Sequence, residues 1–200
     1  MFGLPKSTEL SKQLPKKAIY AKFNMNTATK DKFDADISKI SIAAEISPAT
    51  TAIAKGETVS SIYVLLVSLK RKDFDEKTIA GLSKLIDQNI LFLLDFEGKQ
   101  KLAVHHGKLM QGEWTDPDSL TVSLKGLNLD SVWENIVRSL EGGEWNDELS
   151  LDENIARNEK NEKLQKEIAR LEKLARAERQ PKKKFELVTK VQKLRREIDK

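Results

Sequence analysis

Two stretches of this chain are apolar on both faces when read as strands. One is Ile62-Tyr63-Val64-Leu65-Leu66-Val67, inside residues 58–70, and the other is Ile90-Leu91-Phe92-Leu93-Leu94, inside 90–96. A strand with one wet face alternates apolar and polar residues. A strand that is apolar throughout belongs in the middle of a sheet, covered above and below. Around these runs the pattern is gentler. Residues 38–47 set Ile40, Ile42, Ala44 and Ile46 against Lys39, Ser41, Ala43 and Glu45, the period of a strand with one buried face. Glu97-Gly98-Lys99 reads as a hairpin turn, with 100–106 running back. A short strand lies between Gly107 and Gly112, and 119–125 alternates again.

Helical spacing fills the gaps. Residues 1–37 read as short helices opened at Pro5 and Pro15, then a third with Phe33 and Ile37 four apart. A helix over about 75–88 turns Ile79, Leu82, Leu85 and Ile86 inward, with Asp73 or Asp75 as its cap. Another over 130–141, capped by Asn128 or Asp130, carries Val132, Trp133, Ile136, Val137 and Leu140 and stops at Gly142-Gly143. The expected fold class is α+β: a mostly antiparallel sheet of five or six strands with covering helices over residues 1–145.

Residues 146–200 are a different object. From 149 onward there is no glycine, one proline and one aromatic residue. Leu164, Ile168, Leu171 and Ala175 step by four, three and four. Leu187, Val191, Leu194 and Ile198 repeat those steps after Pro181. That is the apolar seam of a coiled coil. The expectation is a charged helical hairpin, with helices about 150–179 and 183–199, and a single bent helix is the alternative. Closure within one chain and exchange between two both fit the pattern, so the oligomeric state stays open. A seam this narrow leaves apolar edge uncovered, which predicts docking on a protein partner through Leu164, Ile168 and Leu171 on one helix and Leu187, Val191, Leu194 and Ile198 on the other.

Composition excludes several chemistries. With no cysteine among 200 residues, a disulfide framework, a thiol nucleophile and Cys-ligated metals are ruled out. The two histidines are adjacent, His105 and His106, and on a strand they face opposite sides. No apolar run reaches membrane-spanning length, and the opening MFGLPKSTELSK lacks the shape of a signal peptide, so a cytoplasmic location is expected. No phosphate-loop glycine cluster exists, and no cofactor is implied.

Charge is unevenly placed. Residues 1–145 balance 19 basic against 19 acidic groups, while 179–200 hold nine basic and three acidic. The whole formal charge of +4 thus arises in the tail. Lys182, Lys183, Lys184, Lys190, Lys193, Arg195 and Arg196 are the candidate nucleic-acid contacts, suited to phosphates rather than bases because Phe185 alone is there to stack. A mixed-sign, solvated helix surface is the competing reading.

Several segments together resemble a bacterial and archaeal family with no assigned function. They are FGLPKSTELSKQLPKKAIY at the start, ILFLLDFEGKQKLAV in the sheet, LKGLNLDSVWENIVRSL before the double glycine, and RQPKKKFELVTKVQKLRREI in the tail. The resemblance covers nearly the whole chain, through structural signatures with no catalytic one among them. It implies genes beside restriction–modification-like clusters that encode DNA methyltransferases and SNF2-type or DEAD-type helicases. A subunit or accessory of a DNA-processing or phage-defence assembly is therefore expected.

One catalytic pattern merits a test. Asp95, Glu97 and Lys99 form D-x-E-x-K, the arrangement by which some nucleases hold Mg²⁺, and on one strand the three would share a face. A solvent-exposed hairpin tip is the plainer reading. Asp34 and Asp36 form D-x-D, but on a helix they diverge and read as a solvated face. Three functions follow in order: a non-catalytic interaction subunit, a sequence-nonspecific nucleic-acid-binding module, and a divergent metal-dependent nuclease.

Overall fold

The two doubly apolar runs pair with each other at the centre of one six-stranded sheet. In the computed structural model, which describes residues 2–198, the strands are β1 (Glu9–Gln13), β2 (Ile37–Ile46), β3 (Ile62–Leu69), β4 (Asn89–Phe96), β5 (Lys99–His106) and β6 (Lys108–Gln111). They lie in sequence order across the sheet. Neighbours are antiparallel except β3 and β4, which are parallel. The sheet is thus mixed, and its parallel pair sits where the sequence is most apolar. The reason is the connection: a crossover carrying a helix returns the chain to the same end of the sheet, which a hairpin cannot do.

The helices of this first unit are α1 (Lys16–Lys22), α2 (Thr27–Asp36), α3 (Glu76–Leu82) and α4 (Leu129–Glu141). Ile19, Phe33, Ile79 and Leu82 from α1–α3 join Ile40, Leu65, Val67, Phe92 and Leu94 in one core cluster. Sheet residues of the other parity, Ile62, Val64, Leu91 and Leu93, are equally buried, and α4 lies against β5 and β6. Leu91, Phe92, Leu93 and Leu94 are all 0% exposed, as a doubly covered strand requires.

Three expectations change. The stretch after Pro5 forms only a 3-10 turn, Lys6–Thr8, and then an edge strand, β1, where helix was expected. All five β1 residues are exposed, so no apolar period marked it; its Glu and Lys suit an unpaired edge. Residues 119–125 form no strand. Their alternation buries Val122, whose N–H donates to the Phe2 carbonyl at 2.9 Å. The helix expected to reach 88 stops at Leu82, with Ser83 Oγ donating back to the Ala80 carbonyl. Leu85 and Ile86 still pack on the core.

The first unit ends at Gly142 and a second begins at Gly143. Gly142, at φ +70°, gives α4 its left-handed terminus. The second unit holds α5 (Leu151–Ala177) and α6 (Pro181–Ile198). No helix among the described residues is long and apolar enough to cross a membrane.

Candidate partner and nucleic-acid interface

The helical hairpin is built by local chemistry. Ser150 caps α5 and forms a reciprocal capping box with Glu153. Asn154, only 2% exposed, fastens the preceding segment. Its side chain accepts from the Asn146 N–H at 2.8 Å and donates to the carbonyls of Asn146, Leu149 and Ser150. Pro181 then opens α6 at its first residue, where a missing N–H costs nothing.

Within one chain α6 folds back on α5. Ile168, Leu171 and Val191 form the buried seam, with Leu187, Leu194 and Ile198 half-buried beside it. Leu164 is half-buried one turn earlier. The side chains singled out by spacing therefore meet, but they spend themselves on each other. What remains for a partner is the apolar surface outside the seam: Leu174, Phe185 and Val188 are 46%, 73% and 40% exposed.

The seven cations are all exposed, but they do not form one stripe. With about 100° per residue, Lys184 and Arg195 flank the seam on one side, Lys183 and Lys190 on the other. Lys182, Lys193 and Arg196 share the outward face with Phe185 and Thr189, and Glu186 and Glu197 border it, each four residues after a lysine of that face. Arg195 is partly committed, donating to Glu172 across the hairpin at 2.7 Å. Lys190 acts on α5, where it helps the Arg170 guanidinium hold the Glu167 carboxyl below its usual range.

The D-x-E-x-K residues do not share a face. Phe96 pairs with Lys99 and Asp95 with Gln100, so Asp95 and Lys99 lie on opposite sides of the hairpin. Glu97 and Gly98 occupy its tip at φ +48° and +77°, the positive pair that a two-residue turn of this type needs. Lys99 donates to Asp116 at 2.7 Å, and Gln100 donates to Asp95 at 3.2 Å. Among the described residues no group of three or more His, Asp or Glu side chains stands close enough to hold a metal ion.

Both histidines are half-buried. Burial pushes the His105 imidazole below its ordinary range, and its Nδ1 lies 3.3 Å from Ser83 Oγ. Trp133 is core, at 4% exposure. Trp114 packs edge-on against Phe96 and carries Lys101 over its ring at 4.6 Å.

Asp36 overturns the solvated-face reading of D-x-D. It is 0% exposed, accepts from the Arg71 guanidinium at 2.5 Å, from the Asp75 N–H at 3.0 Å and from Thr78 Oγ1 at 3.3 Å. Arg71, which stands between Lys70 and Lys72, is thereby tied to the core. Asp34 is held by Lys16 and Tyr20, each at 2.6 Å. Burial and this bond push the Tyr20 hydroxyl up to about 12. The signal for Asp36 was present: Phe33, Asp36 and Ile37 stand at i, i+3 and i+4, the spacing of one helix face. Leu151, Asn154 and Ile155 repeat it.

No curated protein and no solved structure matches the chain. A family model described as a domain of unknown function, DUF4391, matches residues 2–198. The uncharacterised family that the segments of the chain resemble is thus matched over nearly its whole length, and the chain belongs to DUF4391.

Proposed function

We propose that this chain is a non-catalytic interaction subunit or accessory of a DNA-processing assembly, restriction–modification-like or phage-defensive in kind. It docks on a helicase or DNA methyltransferase subunit through the C-terminal hairpin. The carrying observation is where apolar surface is left uncovered. Of five large hydrophobic residues exposed in the described chain, Leu174, Phe185 and Val188 lie on the hairpin. Two packed helices cannot enclose those side chains, and a third helical surface can. The genomic company implied by the resemblance supplies the kind of assembly, and a cytoplasmic location goes with it.

Affinity purification from the native host, with nuclease added to the lysate, tests this. A helicase or methyltransferase subunit is expected to remain bound to the wild-type chain and to be lost with Phe185→Glu plus Val188→Glu. Retention by that variant would move the interface off the hairpin.

The second reading is a sequence-nonspecific nucleic-acid module, and the outward face of α6 favours it: Lys182, Lys193 and Arg196 stand exposed on the same side of the helix as Phe185. Reversing Lys182, Lys183 and Lys184 is then expected to abolish binding to a DNA duplex and to flatten its salt dependence. Unchanged binding would remove the tail from this role.

A further inference from the structure

The hairpin has a groove on each side of its seam. The larger, about 660 Å³, is lined by Leu174 and Leu187 and carries Glu178 and Glu186 among its cations, so it favours neither sign of charge. The smaller, about 410 Å³, has Ala175, Val188 and Val191 for its floor. Its banks carry Arg176 from α5 and Lys184 and Arg195 from α6, against a single acid, Glu172. That acid is already held by Arg195 at 2.7 Å. Among the described residues Arg176 and Lys184 make no ion pair or hydrogen bond.

Phe185, Val188 and Val191 step by three along α6, which sets them in one slanted row on the helix surface. Exposure falls along that row from 73% to 40% to 7%. The row thus climbs from the buried seam to solvent, with Val188 in the groove and Phe185 one turn before it. Another helix packs on such a row by taking it between its own side chains. A phosphate backbone has nothing apolar to cover it. A second copy of this chain would bring the same surplus of cations, nine against three acidic groups over 179–200.

We infer that the smaller groove takes an amphipathic helix of a partner protein, its apolar stripe on Val188 and Phe185 and its flanks carrying Asp or Glu opposite Arg176 and Lys184. Cations on both banks attract acids on both sides of the stripe and reject a basic helix. The inference rests on the docking role proposed for the hairpin and names the chemistry of the surface that docks.

Two synthetic amphipathic helices as long as α6 test it, alike in their leucine stripe and flanked in one by Glu and in the other by Lys. Binding to the full chain is read by fluorescence anisotropy at low salt. The Glu-flanked helix is expected to bind roughly tenfold more tightly, the yield of two exposed ion pairs near the top of their range. Arg176→Glu with Lys184→Glu is expected to erase that advantage at an unchanged melting temperature. Arg176→Gln with Lys184→Gln, gentler on the fold, is expected to give an intermediate loss. Lys183→Glu with Lys190→Glu makes the same change of charge at the other groove and is expected to keep the advantage. Equal binding of the two helices, binding of neither, or equal losses in the two charge-reversed variants overturns the inference. So does tighter binding of a DNA duplex that Arg176→Glu with Lys184→Glu abolishes. In the native host, a partner kept by Arg176→Glu with Lys184→Glu but released by Phe185→Glu plus Val188→Glu would overturn the acidic helix and leave the docking role standing.

Discussion

The sheet unit and the hairpin use the same apolar residue types and bury them to different depths. At the sheet centre Leu91, Phe92, Leu93 and Leu94 are 0% exposed. On the hairpin the best-buried seam residues, Leu171, Ala175, Val191 and Ile168, keep 6%, 6%, 7% and 8%. The cause is the number of layers. A strand between two helical layers is covered on both faces, whereas each helix of a pair has one neighbour and a solvated remainder. The hairpin compensates locally, with a capping box at Ser150 and with Glu162–Lys166 and Glu167–Arg170 pairs along α5. Such pairs contribute tenths of a kcal/mol each and a cap about 1 kcal/mol, against several for a filled core position. The hairpin is therefore expected to be the less stable unit, and it carries three of the five exposed large hydrophobic residues.

The largest expected effect tests that contrast directly. Leu93→Ala should cost the sheet unit about 2–5 kcal/mol, the range for large-to-small changes at closed sites. Leu171→Ala should cost the hairpin roughly 1–2 kcal/mol, because the solvated remainder of the seam lets the site relax. Hydrogen exchange resolved by segment is the measurement, since two units need not unfold in one step. In the wild type, α6 amides should exchange well before those of β3 and β4. Equal losses for the two substitutions, or equal protection of the two regions, would break the comparison.

The same contrast decides what was legible in the sequence. Strands covered on both faces announce themselves by unbroken apolar runs, so β3 and β4 were readable, and so was the hairpin from its four-three-four steps. The partly legible features sit at edges. β1 has no apolar face, so nothing in ELSKQ distinguishes it from a turn; only the edge of β2 makes it a strand. The parallel β3–β4 pairing was implicit in the helix between them, yet a hairpin and a crossover leave the same strand pattern. Among the candidate sites, D-x-E-x-K failed because strand spacing was carried through a turn: the chain reverses at Glu97-Gly98 and carries Lys99 to the side opposite Asp95. Asp36 was misread because charge was weighed before position, although it stands on the face of Phe33 and Ile37.

Asp36 gives the next effect in size and shows that the sheet unit also depends on one polar knot. Asp36→Ala leaves the Asp75 N–H and the Thr78 hydroxyl without an acceptor and deletes the carboxylate of the Arg71 pair. Arg71 is half-exposed and regains water, so the cost falls to about 1–3 kcal/mol, that of stranded donors rather than of an isolated buried charge. Asp36→Asn keeps one acceptor and should fall between the two. Thermal melting of the three proteins reads this order, and the loss should appear as earlier exchange in α3 with α6 unaffected. Loss of protection in α6 as well would mean that the units share more stability than their separate cores suggest.

Acid and salt together produce the smallest effect and separate the units by the kind of bond each uses. In the sheet unit Asp130 accepts from the Thr58 hydroxyl and from the backbone N–H groups of Glu57, Thr58 and Val59, at 2.6–3.2 Å. These neutral donors, the Thr58 hydroxyl foremost, hold its carboxyl below the ordinary value of 3.8. In the hairpin the Arg170 guanidinium holds the Glu167 carboxyl below 4.5. Both folded values are depressed, so each contribution is complete above the ordinary value and is lost as pH falls through the folded one. For Asp130 that window lies below 3.8. The donors differ in charge, and salt discriminates between them. About 1 M salt shortens the screening length to roughly 3 Å and removes most of an exposed ion pair, while bonds to neutral amides persist. The difference in melting temperature between wild type and Asp130→Ala should therefore be present at about pH 6, shrink toward about pH 3, and be the same at low and high salt. The corresponding difference for Glu167→Gln, followed through α5 exchange, should shrink on adding salt alone. A salt-sensitive Asp130 effect would place a charged partner at that loop and erase this distinction between the two units.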